Sequence, residues 1–136
     1  MSITNELRAT ISELVQQGKG ILAADESLPT LTSRFAQIDV EATEEHRRAY
    51  RSLLFSTPQI NESISGVILF EETLGQTDDH GNTLPSVLAQ RGIVPGVKVD
   101  KGKGPLALSP GDLITYGLDG LRDRLLKYKE QGARFA

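Results

Sequence analysis

The segment GKGILAADES, Gly18 to Ser27, runs four apolar residues directly into two adjacent carboxylates, Asp25 and Glu26. The run is too short for a helix and lacks polar alternation, so it reads as a buried strand of a parallel sheet, covered on both faces. SGVILFEE (65–72) and VPGVKVD (94–100) repeat the pattern, each a short apolar run, rich in branched side chains, that ends in charge.

Helical stretches lie around these strands. Leu7, Ile11, Leu14 and Val15 recur at helical spacing ahead of Gly18, which predicts an amphipathic opening helix. TEEHRRAYRSLLFS (43–56) has acidic residues in its first turn, LPSVLAQRG (84–92) has Pro85 at its start, and GLDGLRDRLLKYKEQG (117–132) closes on a glycine. Strands alternating with helices predict parallel βαβ units, and ARFA (133–136) reads as the start of a fourth strand. A closed (β/α) barrel takes eight strands and typically about 250 residues. The expectation is therefore one domain, residues 1–136, forming the first three strands and the start of the fourth of a (β/α)8 TIM barrel.

Composition narrows the function classes. With 136 residues and 38% hydrophobic side chains, the chain has material for one core and little for two. A net charge of -3 argues against nucleic acid as a partner, while leaving room for a local basic cluster on a small phosphate. Without cysteine there is no disulfide framework, thiolate metal site or cysteine nucleophile. The polar N-terminus lacks an apolar signal core, and no window reaches the roughly 18 apolar residues of a membrane span. A cytoplasmic protein without membrane association is expected.

The charges gather at the strand C-terminal ends: Asp25 and Glu26, Glu71 and Glu72, then Lys98, Asp100 and Lys101. In parallel α/β folds that edge carries the chemistry, because the βα loops converge there. Taken alone, Asp25 is open between a helix cap and a pocket carboxylate. Glu71 and Glu72 read as a solvated loop. Lys98, flanked by Val97 and Val99, points away from both and needs an anion or a route to water. Arg47 and Arg51, four residues apart, share a helix face with solvent as the default environment and phosphate as the lesser alternative. His46 and His80 lie far apart and read as surface residues, giving zinc little support. GKGILA and DKGKGP both miss the spacing of a nucleotide-binding P-loop.

GKGILAADES, EATEEHRRAYRSLLFS, ISGVILFEETL, GIVPGVKVDKG and GLDGLRDRLLKYKEQGARFA, in that order from about Leu7 to the last residue, resemble the N-terminal part of class I fructose-bisphosphate aldolases. The resemblance implies a barrel, usually tetrameric, that reversibly cleaves fructose 1,6-bisphosphate to dihydroxyacetone phosphate and glyceraldehyde 3-phosphate. The route goes through a lysine Schiff base, with no metal or other cofactor. It assigns Asp25 as the catalytic carboxylate that orients the substrate hydroxyl and nearby lysines and helps proton movement. Ser27, Thr30, Arg34, Arg47 and Lys98 fall at substrate or phosphate positions, Lys98 at the sugar's far phosphate. The chain departs from the common ADESTGS pattern with ADESLPT, so Pro29 replaces a flexible glycine and Thr30 a serine. Ser33 replaces a lysine that often precedes Arg34. The family's Schiff-base lysine falls beyond residue 136, so this segment alone is not expected to form the covalent intermediate. A non-catalytic aldolase-derived interaction module is the alternative, and an unrelated phosphate-binding α/β enzyme a third reading.

Overall fold

A computed structural model describes residues 2–136. Helix α1 spans Ile3–Leu14, with Ser2 as its N-cap accepting from the Asn5 amide. Strand β1 follows at Gly20–Ala24, and helix α2 at Leu28–Ala36. Helix α3 occupies Glu44–Ser56, and the short α4, Ile60–Ser63, leads into β2 at Ile64–Leu69. A 3₁₀ turn at Glu71–Gly75 precedes α5, Leu84–Gln90, and β3, Val94–Val97. A ribbon of β4, Lys103–Pro105, and β5, Leu113–Thr115, then leads to α6 at Leu121–Glu130.

The three apolar runs pair in chain order, β1-β2-β3, and both pairings are parallel. The α/β expectation therefore holds, and the helices expected at 43–56 and 84–92 form where their caps start them. Thr43 and Thr83 each accept a hydrogen bond from the amide three residues on, at His46 and Ser86. Val67 and Leu69 of β2 turn to one face, where Phe55 of α3 and Leu84 and Leu88 of α5 join them in the core, all fully buried. On the opposite face β2 carries Gly66, which approaches Leu14 and Phe135, and β3 carries Gly96, which lies against the Phe135 ring. That face is only partly covered, and Ile21 of β1 is 50% exposed on it. Phe135 forms an isolated parallel bridge with Gly96, closed by Val97 N–H donating to Phe135 O and Arg134 N–H to Pro95 O.

Several expectations need correction. Helix α1 forms, but Leu7, Ile11 and Val15 are exposed, and the buried residue is Thr10, whose hydroxyl donates to the Glu6 carbonyl and accepts from Arg134. Strands expected over 65–72 and 94–100 stop at Leu69 and Val97. The Lys98 amide still donates to the Leu69 carbonyl at 2.9 Å, and beyond it β2 has turned into its 3₁₀ segment and offers no further partner. The last helix starts at Leu121, because Gly120 takes a left-handed conformation at its N-cap, with φ 66°.

Helix α2 and the β4–β5 ribbon were not anticipated. In α2 two threonines weaken the helical signal, yet Pro29 suits the first turn, where its missing amide costs nothing, and Leu31 and Phe35, four apart, are both buried. Pro29 therefore shapes a helix start here and not a free loop.

Candidate active site

The strand C-terminal ends converge as the charge pattern suggested. Asp25 is the residue after β1, and Lys98 the residue after β3. Lys98 Nζ stands 2.6 Å from Asp100 Oδ2 and 3.8 Å from Asp25 Oδ2, so the lysine meets an anion from each side. Its hydrogen bond to Asp100 raises the Lys98 pKa above its ordinary value, outweighing partial desolvation, and holds Asp100 below its own. The ammonium is thus charged at any physiological pH, and an incoming dianion has to compete with Asp100 for it.

Beside this group opens a cleft of about 470 Å³, lined by Ser27, Pro29, Phe70, Glu71, Lys98, Asp100, Lys101 and Lys103. Ser27 is the N-cap of α2, but its hydroxyl caps no amide and instead lies 3.0 Å from the Thr30 hydroxyl. Lys101 is held 2.7 Å from Glu71 across the cleft wall, and that ion pair pulls the Glu71 pKa down. Three lysines and the Ser27 hydroxyl line the space and suit an oxygen-rich anion, with Glu71 and Asp100 as the carboxylates it would compete against.

Ser27 and Lys98 line this cleft and Asp25 abuts Lys98, but Thr30, Arg34 and Arg47 do not line it. Arg34 is exposed on α2, and its guanidinium donates to Glu26 Oε1 at 2.7 Å. Arg47 forks onto Glu72, with Nε 3.0 Å from Oε2 and Nη2 2.5 Å from Oε1, while Nη1 donates to the Ala42 carbonyl. The fork holds Glu72 below the usual carboxylate range and raises Arg47.

The solvated-face reading of the α3 arginines fails. Arg51 is fully buried: Nη1 lies 3.1 Å from Glu72 Oε2, Nη2 donates to the Glu26 carbonyl at 2.8 Å, and its guanidinium carbon sits 5.6 Å from the Phe70 ring centroid. Burial lowers the Arg51 pKa, and the Glu72 charge opposes that shift. Glu72 is correspondingly no loop residue in water but the shared acceptor of two arginines. The i, i+4 spacing of Arg47 and Arg51 contained the signal, since one acid at a strand end can receive both. His46 and His80 are exposed, as expected. Among the described residues no three or more His, Cys, Asp or Glu gather as a metal site, and no helix is long and apolar enough to cross a membrane.

The fold is a parallel α/β sheet with a cleft of carboxylates, lysines and a hydroxyl at its strand C-terminal ends. The chain belongs to the class-I fructose-bisphosphate aldolase family, whose model matches residues 6–136. It is 52% identical over all 136 residues to a probable fructose-bisphosphate aldolase class 1 of Xylella fastidiosa, covering 40% of that protein. To the fructose-bisphosphate aldolase of Schistosoma mansoni it is 54% identical, over 97% of this chain and 37% of the relative. It is similar to a cytosolic fructose-bisphosphate aldolase of Arabidopsis thaliana at 53% identity, with 98% and 34% covered. A co-crystal structure of Plasmodium falciparum fructose-bisphosphate aldolase, in complex with TRAP and a small-molecule inhibitor, superposes with a TM-score of 0.93 at 48% identity, covering 97% of this chain and 38% of that one. The chain spans about 40% of the length of the first of these relatives.

Proposed function

We propose that residues 1–136 form the N-terminal part of a (β/α)8 barrel that acts as a class I fructose-bisphosphate aldolase, cleaving fructose 1,6-bisphosphate reversibly into dihydroxyacetone phosphate and glyceraldehyde 3-phosphate. The observation that carries the reading is the approach of Asp25 to Lys98 at the ends of β1 and β3, beside a cleft that Ser27 shares. Family membership supports the reaction class, and cytosolic relatives support a cytoplasmic setting.

In this reaction a lysine amine, carried outside these 136 residues, condenses with the substrate ketone to an iminium. The C4 hydroxyl loses its proton, the C3–C4 bond breaks, its electron pair flows into the iminium to give an enamine, and the aldehyde leaves. A proton returns to C3 and hydrolysis frees the ketone product. Asp25 orients the C4 hydroxyl and assists its proton. The Lys98 ammonium and the Ser27 hydroxyl bind phosphate oxygens, with Thr30 supporting Ser27. The family resemblance assigns Arg34 and Arg47 to substrate binding as well, a role for which each has to exchange its partner, Glu26 or Glu72, for the substrate. The assembled enzyme is a homo-oligomer, a tetramer by family.

The test is borohydride reduction of the full-length protein with dihydroxyacetone phosphate, read by intact mass, together with cleavage by Asp25→Ala. One reduced adduct and a loss of about a hundredfold or more in kcat are expected, the scale of a lost acid-base group. Absence of an adduct, or wild-type cleavage by Asp25→Ala, overturns the assignment.

A further inference from the structure

We propose that Arg51 is a positioning residue: its buried guanidinium bolts the backbone at Glu26, between Asp25 and Ser27, to Glu72 at the end of β2, and so sets where Asp25 and Ser27 stand relative to Lys98. The inference rests on the aldolase reading for its kinetic consequence, though not for its geometry.

The β1–β2 ladder ends with Ala24 opposite Leu69, and past that point the two chains part. The segment 25–27 is then irregular until Ser27 caps α2. Among the described residues, the only side chain that donates to the backbone of 25–27 is Arg51, at 2.8 Å to the Glu26 carbonyl. Its other terminal nitrogen reaches Glu72 Oε2 at 3.1 Å, and the plane lies near the Phe70 ring. One rigid fork therefore spans the ends of two neighbouring strands from a third element, α3.

An ammonium cannot replace it. Lysine presents a compact point charge on a flexible stem, whereas the guanidinium offers separate nitrogens in a fixed plane, one for each acceptor. Arg51 is itself fully buried, so a side chain that cannot span both acceptors leaves the Glu26 carbonyl without its side-chain donor. Asp25 and Ser27 flank that carbonyl directly, so its displacement moves both, and a shift of about an ångström in a reacting group costs on the order of a hundredfold in rate. Arg47, which also binds Glu72, spends its third nitrogen on Ala42 and makes no contact with this segment.

The experiment compares full-length wild type with Arg51→Lys, and with Glu72→Gln, which keeps the guanidinium but removes its anionic anchor. Arg48→Lys is the control, since Arg48 binds Glu45, Asp79 and the Thr77 carbonyl away from the cleft. Amide exchange is followed by mass spectrometry over 24–28 and over 64–69, alongside steady-state cleavage. In Arg51→Lys, exchange at 24–28 is expected to speed up about tenfold with 64–69 unchanged, kcat to fall tenfold or more through Asp25, and KM to rise by a smaller factor through Ser27. Glu72→Gln should move both readouts in the same direction but less, and Arg48→Lys neither. A uniform rise in exchange across both segments, or unchanged exchange at 24–28, overturns the proposal and leaves Arg51 a general stabiliser. A wild-type protein that cleaves no fructose 1,6-bisphosphate overturns the proposed function instead, and local exchange alone then decides the role of Arg51.

Discussion

Lys98 Nζ and Asp25 Oδ2 stand 3.8 Å apart across the mouths of β3 and β1, near enough to attract and too far for a direct hydrogen bond. The closer partner of the lysine is Asp100, at 2.6 Å. Lys98 is thus held in place by one carboxylate while its charge remains within reach of the other.

Replacing the ammonium tests that arrangement. Lys98→Met keeps the aliphatic stem and removes the charge, so kcat/KM for fructose 1,6-bisphosphate should fall about 10- to 100-fold, the scale of one lost charge-assisted hydrogen bond. The loss should sit mainly in KM. Steady-state kinetics check it, and an unchanged KM would remove Lys98 from phosphate binding.

Asp100→Asn is the opposite experiment. On the proposed function, a phosphate bound at Lys98 has to displace Asp100, and the amide replacement relieves that competition. KM for the bisphosphate should drop by about two- to tenfold, as expected for a weakened, partly exposed pair. A raised KM would overturn the competition and make Asp100 the group that aims the lysine.

Glu72 gives a pH signature. The Arg47 fork holds its carboxyl below the ordinary 4.5. The unfolded chain therefore takes up the proton first as pH falls. The stability that Glu72 contributes is fully present above that ordinary value and drains away as pH drops through the lower folded one. Glu72→Gln should lower the thermal midpoint at neutral pH, by about 1–3 kcal/mol in stability for leaving the buried arginine short of its anion. The gap between variant and wild type should then narrow below pH of about 4.5. Thermal melts between pH 7 and 3 decide it; a gap that widens with acid would refute the pairing as a source of stability.

The strands and their polar ends were legible because parallel strands carry their signal locally, as continuous apolar runs stopped by charge. Asp25 and Lys98 could be placed on one edge for the same reason. Arg51 and Glu72 were legible only in part: the i, i+4 spacing puts Arg47 and Arg51 on one face, where one acid can receive both, but does not tell a buried arginine from a solvated one. Its environment depends on which way α3 turns against the sheet, and α3 turns Phe55 into the buried cluster that holds Val67 and Leu69. Helix α2 escaped notice because its stabilising contacts, Leu31 and Phe35, are tertiary, while its threonines argue locally against a helix. The exposure of Leu7, Ile11 and Val15 was likewise beyond periodicity, which identifies a face but not whether anything covers it.

Gly96 offers a stability test at the sheet itself. A Cβ there would meet the ring of Phe135, including Cε1 at 2.5 Å and Cε2 at 2.6 Å, well inside van der Waals contact. The Phe135 backbone is bound to β3 through the Val97 amide at 3.0 Å, so the contact is relieved only by rotating a half-buried ring off the sheet. Gly96→Ala should therefore cost about 1–3 kcal/mol, the usual penalty for overpacking a fitted site, and lower the urea midpoint of the full-length protein. Gly75→Ala is the matched control: no atom lies within 4 Å of its added methyl, so the change should be neutral or stabilise by up to about 1 kcal/mol through the unfolded chain. Equal midpoints for the two variants would mean that Phe135 does not hold its place over Gly96 in solution.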